Sequence, residues 1–386
     1  MNRTLSVFLA VLLTFAALSG GRADASEPWR YLQALQALQD RVAHGDRKAY
    51  RAQVRLIAYL GKEFAAMPDE MWKKRLNAEA LFVYVLSGGN PAAAVDILKR
   101  KVEIALPEGA LRGAVAFVQG RNGEAWKHLQ TVDGEGMSIA AQAQLALVKA
   151  SLRAAAEPLV ALKLLARVRL LKPGTLMEEA ALRRALFLAG GEGDVKTFMK
   201  LASAYIRRFR NSWYVSDFLR RFAWLLVRLD YGREPFLVER MEPLISKLTK
   251  RRRALLHAAV ARAALLEGKR KLAIVAGRKA LSAYPDAPRF AARVKTWIAA
   301  AEVVSPHPEA AVKTLEGISP ELLDERDRSL RTAALVLARA IVEEPVEPAM
   351  EGGKVGTSRE KDTPEVVVRA RAMAAGIERL LEEKAQ

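Results

Sequence analysis

The sequence contains no cysteine, so disulfides, thiolate nucleophiles and cysteine-based metal sites are all excluded. Histidine is scarce as well, and no two of its four residues lie within one helical turn of each other. This spacing excludes a local zinc motif of the HExxH type. Without covalent or metal crosslinks, a chain of this length has to be stabilised by packing. The histidines are His44, His128, His257 and His307.

Motifs of enzymatic chemistry are missing too. The glycine-rich stretch 190–193 is not followed by Gly-Lys-Ser/Thr, as a phosphate-binding loop would be. There is no Gly-x-Ser-x-Gly, and no pair of carboxylates stands in an apolar setting suited to general acid–base catalysis. We therefore expect neither an enzyme nor a site for a cofactor or metal.

The N-terminus has the pattern of an export signal. Arg3 precedes an apolar run over residues 5–18, and small residues then lead to Ala25. This order predicts a signal peptide over residues 1–25, cleaved after Ala25, and a periplasmic mature protein. The alternative is a retained membrane anchor, but spanning a bilayer takes roughly 20 apolar residues. We expect no stable membrane span after cleavage, since no second apolar run is long enough.

Basic residues outnumber acidic ones, and the full chain has a formal net charge of +19. The predicted signal segment holds only Arg3, Arg22 and Asp24, which leaves the mature chain at +18. Export argues against a nucleic-acid partner. The partners that remain are an acidic protein surface, anionic lipid headgroups or a cell-wall polymer.

The composition, rich in alanine, leucine and arginine, favours helix throughout. Residues 196–210 show the pattern well, because their apolar positions recur at i, i+3, i+4, i+7, i+8 and i+11. The sequence predicts an amphipathic helix here. The members of its apolar stripe are Phe198, Leu201, Ala202, Tyr205, Ile206 and Phe209.

Turn signals rich in glycine or proline recur along the chain, 32 to 40 residues apart. This regularity predicts an all-α fold, an α-solenoid of tetratricopeptide-like helical hairpins over residues 26–342. Residues 261–285 come closest to the repeat pattern. A non-repetitive helical bundle is the alternative. The turns lie around positions 89, 121, 157, 191, 231, 268 and 306.

The C-terminal part differs in composition. Residues 343–364 are rich in proline, glycine and charge, which predicts a flexible linker. Residues 365–386 are predicted to form a helix that caps the array or contacts another protein. Its apolar stripe is Val367, Ala370, Ala374, Ile377 and Leu381.

Arginine pairs alternate with aromatic residues over residues 183–224. Arginine, tryptophan and tyrosine carry much of the binding energy at interfaces, so we predict a partner-binding surface here. Two alternatives stay open: most of the aromatic residues belong to the core, and Glu179 and Arg183 form an i,i+4 pair that only stabilises their helix. The predicted contact residues are Arg183, Arg184, Arg207, Arg208, Arg210, Trp213, Tyr214, Arg220 and Arg221.

Four stretches occur in order along the chain: PWRYLQALQ at 28–36, LSGGNP at 86–91, LKPGT with EEAALRR at 171–184, and YIRRF with NSWY at 205–214. Together they resemble the MotC family of exported motility proteins. The resemblance covers roughly residues 28–230. It implies a periplasmic protein required for flagellar rotation and chemotaxis, which binds the periplasmic part of the stator protein MotB and controls that stator. It supplies no residue-level site.

Two other functions remain open from the sequence. One is a periplasmic repeat adaptor in the assembly of the envelope or of a secretion complex, which would share the fold and the basic surface. The other is a cell-wall-active enzyme. Such an enzyme needs a carboxylate or a Ser/Lys constellation, and the sequence offers neither.

Overall fold

A computed structural model of the protein describes residues 27–305 and 308–342, and every regular element in these residues is a helix. The all-α prediction is confirmed. The predicted signal peptide, linker and C-terminal helix lie outside the described residues. The first nine α-helices are α1 (Pro28–Ala43), α2 (Arg47–Ala66), α3 (Arg75–Leu86), α4 (Ala92–Arg100), α5 (Ala110–Val118), α6 (Asn122–Leu129), α7 (Ile139–Arg153), α8 (Pro158–Leu171) and α9 (Leu176–Gly191).

The second half continues in the same way, with short 3-10 helices at Asp69–Lys73 and Pro320–Leu322. The remaining α-helices are α10 (Val195–Phe209), α11 (Val215–Arg228), α12 (Leu237–Arg240), α13 (Glu242–Ile245), α14 (Lys250–Leu266), α15 (Arg270–Ala283), α16 (Pro288–Glu302), α17 (Glu309–Glu316) and α18 (Glu325–Val342). The predicted turns around positions 89, 121, 157, 231 and 268 each lie between two of these helices, and the turn predicted around position 191 begins at the C-terminal end of α9. The turn predicted around position 306 falls on residues outside the described ranges.

Polar side chains mark where many helices begin. Their oxygens accept hydrogen bonds from backbone N–H groups that have no partner within the first turn. Asp46 accepts from the N–H groups of Lys48 and Ala49 at 2.8 and 3.0 Å and so caps α2. Further caps of this kind are Ser138 at α7, Thr175 at α9, Asp194 at α10 and Thr249 at α14.

The apolar core forms several clusters that shared helices connect. α7 contributes Leu145 and Val148 to an N-terminal cluster, and Leu147 and Ala150 to a central one. Because both faces of α7 are buried, it joins the two clusters. The apolar stripe predicted on α10 is wholly buried in the central cluster.

Most contacting helices are close neighbours in sequence, such as α7 with α8 and α14 with α15. Other contacts join helices that are further apart, such as α3 with α7 and α1 with α9. Ala43 at the end of α1 belongs to the central cluster. The N-terminal helix pair is therefore packed against the middle of the chain, far away in sequence.

Several basic side chains donate hydrogen bonds to carbonyl groups at the C-terminal ends of neighbouring helices. These carbonyls have no partner within their own helix. The Nζ of Lys269 donates to the carbonyl of Val227 in the last turn of α11 and to the carbonyl of Asp230 just after that helix. A cation at a helix C-terminus is also stabilised by the helix dipole. Arg270 donates likewise to Ala301, Arg331 to Leu315, and Lys149 to Gln130 and Val132.

Over residues 27–305 and 308–342, no helix is long and apolar enough to cross a membrane.

Candidate partner-binding surface

The predicted contact residues lie on three consecutive helices and the turn between two of them. Arg183 and Arg184 belong to α9, Arg207 and Arg208 to the last turn of α10, and the remaining residues to the α10–α11 turn or to α11. The structure divides them into three groups. One group makes internal contacts around buried carboxylates, a second lies on an exposed face of α9 and α11, and a third has no ion pair in the described residues.

Two adjacent carboxylates are buried at the start of α9. Glu178 and Glu179 are 1% and 0% exposed, so each needs partners to offset the loss of hydration. Glu178 accepts from the backbone N–H of Gly174 at 2.6 Å and pairs with Arg208. The guanidinium of Arg208, predicted as a contact residue, is thus held by an internal ion pair.

Glu179 has three hydrogen-bond donors of its own. The Tyr205 hydroxyl donates at 2.6 Å and the Ser212 hydroxyl at 3.3 Å, both to Oε1. The Nε of Arg183 donates to Oε2 at 2.9 Å. The i,i+4 pair of Glu179 and Arg183 therefore does form, and its carboxylate also links α9 to α10 and the α10–α11 turn.

The turn between α1 and α2 and the adjoining helix ends pack against the turn between α10 and α11. The ring of Trp213 stacks on Tyr50 with 4.3 Å between centroids and 18° between planes, and its backbone N–H donates to the carbonyl of Val42 at 3.2 Å. A Cβ on Gly45 would lie 2.3 Å from the carbonyl oxygen of Asn211. We call these contacts between residues 40–50 and residues 209–214 the N-terminal clasp.

Arg183, Arg220 and Arg221 lie around one carboxylate on α11. Asp217 accepts a hydrogen bond from Arg220 at 3.3 Å, and it forms ion pairs with Arg221 at 3.1 Å and with Arg183 at 3.7 Å. Three guanidinium groups therefore lie around one half-buried carboxylate, and Glu179 is the other anion that pairs with one of them among the described residues. The surroundings of Asp217 carry an excess of positive charge.

An alternation of arginine and aromatic rings continues from there along α9 and α11. The Arg221 guanidinium lies over the ring of Phe187 at 5.2 Å, and Phe187 stacks on Trp224 with 6.1 Å between centroids and 6° between planes. The Arg228 guanidinium lies over Trp224 at 5.1 Å. We call Phe187, Arg221, Trp224 and Arg228 the Arg–aromatic row.

The sequence-based reading of this region was right about most aromatic residues. Four of them are core residues: Tyr205, Phe209, Phe218 and Phe222. The two tryptophans are different, since Trp213 and Trp224 are 40% and 39% exposed.

Phe187 and Arg228 were not singled out from the sequence. The spacing of Arg221, Trp224 and Arg228 at i, i+3 and i+7 places them on one face of α11 and was the available signal.

Three predicted residues have exposed side chains that no carboxylate neutralises. Arg184, Arg207 and Arg210 make no ion pair within the described part of the chain. The Nη1 of Arg210 donates to the carbonyl of Arg207 at 3.2 Å, within the last turn of α10. The structure does not bring these three residues into the Arg–aromatic row, and their predicted role stays a prediction.

Titratable groups that could form a metal site do not cluster in residues 27–305 and 308–342. His257 is the one buried histidine of this region, and its Nε2 lies 3.5 Å from a carboxylate oxygen of Glu242. Burial lowers the pKa of His257, the cations of Lys279 and Arg253 lower it too, and Glu242 opposes them. This histidine is packed in the core as a neutral side chain.

Comparison with known proteins identifies the family. A family model described as "Chemotaxis protein MotC" matches residues 1–386. The chemotaxis protein MotC of Rhizobium meliloti (strain 1021) is 30% identical over 353 residues, which cover 90% of this chain and 80% of that protein. No solved structure matches the chain significantly. The resemblance seen in the sequence motifs is confirmed, and the chain belongs to the chemotaxis protein MotC family.

Proposed function

We propose that this chain is a periplasmic protein of flagellar motility that binds the periplasmic part of the stator protein MotB and regulates rotation of the motor. The observation that carries the proposal is the match to the MotC family over residues 1–386. The proposed export rests on the signal-peptide pattern of residues 1–25. Removal of that segment leaves a strongly basic protein suited to an acidic partner.

The protein is proposed to act by binding and not by catalysis. Its helix pairs are proposed to stack as a tetratricopeptide-like array, in which neighbouring pairs form one extended surface. The exposed arginine and tryptophan side chains of α9 and α11 support this proposal, because such residues often dominate the energy of protein interfaces.

Regulation would follow from preferential binding. A ligand shifts a conformational equilibrium only if it binds one state more tightly than the other. We propose that the chain binds the active state of the stator preferentially and so increases its population. Charge-assisted contacts would also speed the encounter of the two proteins at low ionic strength.

The test is capture of the cognate MotB periplasmic part by the mature protein, residues 26–386, at low and high salt. We expect specific capture that weakens as salt increases, since salt screens exposed charges. A parallel deletion of the gene should abolish swimming, and plasmid-borne mature protein with a signal peptide should restore it. A lack of capture at both salt concentrations by a protein that is helical by circular dichroism would contradict the MotB proposal.

Location is tested separately, because binding in vitro does not report it. Fractionation of cells that produce the full chain should release a shortened protein with the periplasmic contents. Edman sequencing of that protein should start at Ser26. Full-length protein in the cytoplasm or in the membrane fraction would contradict the proposed export.

A further inference from the structure

In the Arg–aromatic row, Arg228 is held differently from several other basic side chains of the described residues. Lys269, Arg270 and Arg331 are engaged with helix-terminal carbonyls, and Arg208 is paired with a buried carboxylate. Arg228 is exposed and forms no ion pair within the residues that the structure describes. Its guanidinium is instead positioned by the ring of Trp224 at 5.1 Å.

A guanidinium group held over an aromatic ring can still bind an anion. The ring attracts the cation without a carboxylate or carbonyl acceptor, so N–H donors of the guanidinium remain available. Arg221 is held similarly over Phe187 and also forms an ion pair with Asp217 at 3.1 Å. The N–H groups of Arg221 and Arg228 that remain free can bind a carboxylate through two parallel hydrogen bonds.

Between the two arginines lies an exposed aromatic surface. The indole of Trp224 is 39% exposed, although one part of it is covered by the nearly parallel ring of Phe187. The exposed part of the indole, beside the Arg228 guanidinium, offers apolar surface against which a proline or aromatic ring of a peptide can pack.

We propose that the Arg–aromatic row is the docking site for an extended acidic segment of a partner protein. Two carboxylates of the segment pair with Arg221 and Arg228, and a ring between them packs on Trp224. The identification of this partner as the periplasmic part of MotB rests on the proposed function. The chemistry of the segment follows from the row itself.

Fluorine NMR of the mature protein labelled with 5-fluorotryptophan tests the proposal. The resonance that is lost in W224F belongs to Trp224. The probe is a synthetic peptide in which glutamate alternates with proline and tyrosine. We expect it to shift the Trp224 resonance more than those of Trp29, Trp72, Trp126 and Trp297, and a peptide with lysine in place of glutamate to leave it unshifted.

Charge reversal then identifies the site. R228E should lower the affinity of the protein for the peptide by about tenfold or more, as expected for loss of a central arginine contact. R112E is the matched control, because Arg112 is an exposed arginine on α5 that has no ion pair in the described residues. It should leave the affinity unchanged. A peptide that fails to shift Trp224, or that binds R228E and the unaltered protein equally, overturns the proposal.

The same variants separate this site from the proposed function. One outcome supports both the docking site and the proposed MotB partner: the MotB periplasmic part is captured, R228E and W224A reduce the capture, and R112E does not. If the acidic peptide binds the row but MotB is not captured, the docking site stands and the proposed partner fails. If MotB is captured equally by all variants, or if vesicles of anionic phospholipid shift Trp224 and the peptide does not, the docking site is overturned.

Discussion

The hydroxyl of Tyr205 donates a 2.6 Å hydrogen bond to the carboxylate of Glu179, and both side chains are wholly buried. Burial, together with the adjacent Glu179 carboxylate, raises the pKa of Tyr205 above its ordinary value. The hydroxyl therefore keeps its proton at physiological pH. This bond joins α10 to α9 at the place where the N-terminal clasp also meets these helices.

Removal of the Tyr205 hydroxyl should lower the free energy of unfolding. Y205F leaves a buried carboxylate short of one donor, and a hydrogen bond to a charged group contributes about 1.5–3 kcal/mol. We expect a lower urea midpoint measured by circular dichroism. Y231F is the control, since Tyr231 is 72% exposed, and its midpoint should not change. Equal midpoints for Y205F and the unaltered protein would contradict this role of the bond.

The N-terminal clasp should be sensitive to a single methyl group. Gly45 has a φ of +95°, and an added Cβ would meet the Asn211 carbonyl oxygen at 2.3 Å. Gly88 has a similar φ of +91° but nothing within 4 Å of such a Cβ. Both G45A and G88A carry the strain of a positive φ, roughly 1–3 kcal/mol. Only G45A should also speed hydrogen exchange in α1 and α2, as read by mass spectrometry.

If G45A and G88A exchange alike, the close approach of Gly45 to Asn211 does not hold the N-terminal helix pair in place.

The cationic side chains that donate to helix-terminal carbonyls should stabilise the fold through their charge. Lys269 donates to the carbonyls of Val227 and Asp230, so K269M removes both hydrogen bonds and the favourable interaction with the helix dipole. We expect a loss of about 1–2 kcal/mol. K271M serves as the control, because Lys271 is exposed and has no such acceptor in the described part of the chain. Thermal melts of the two variants should therefore differ.

Stability should depend on pH through His257. Its pKa is lowered by burial, so the unfolded chain takes up this proton as the pH falls through about 6.5 while the folded chain does not. The resulting stability is complete above that pH and is lost towards the folded-state pKa, at most about 1.4 kcal/mol per pH unit.

Melting temperatures of H257Q should change less between about pH 6.5 and pH 5 than those of the unaltered protein. H128Q is the matched control, and its melting temperature should change with pH as much as that of the unaltered protein does. A slope that H257Q does not alter would show that other groups cause the pH dependence of this interval.

The sequence by itself determined the helices. The apolar period of α10 and the turn residues between helices act locally, through backbone geometry and the burial of one face, and the structure agrees with both. The family was also readable from short motifs.

The tertiary structure alone decided which charges are available. Arg208 and Arg228 are both arginines on amphipathic helices, and nothing local distinguishes them. Arg208 pairs with a buried carboxylate thirty positions earlier in the chain, whereas Arg228 lies over the ring of an exposed tryptophan. The burial of Glu178 and Glu179 likewise depends on contacts among several helices. Such contacts join residues distant in sequence, and no periodic pattern encodes them.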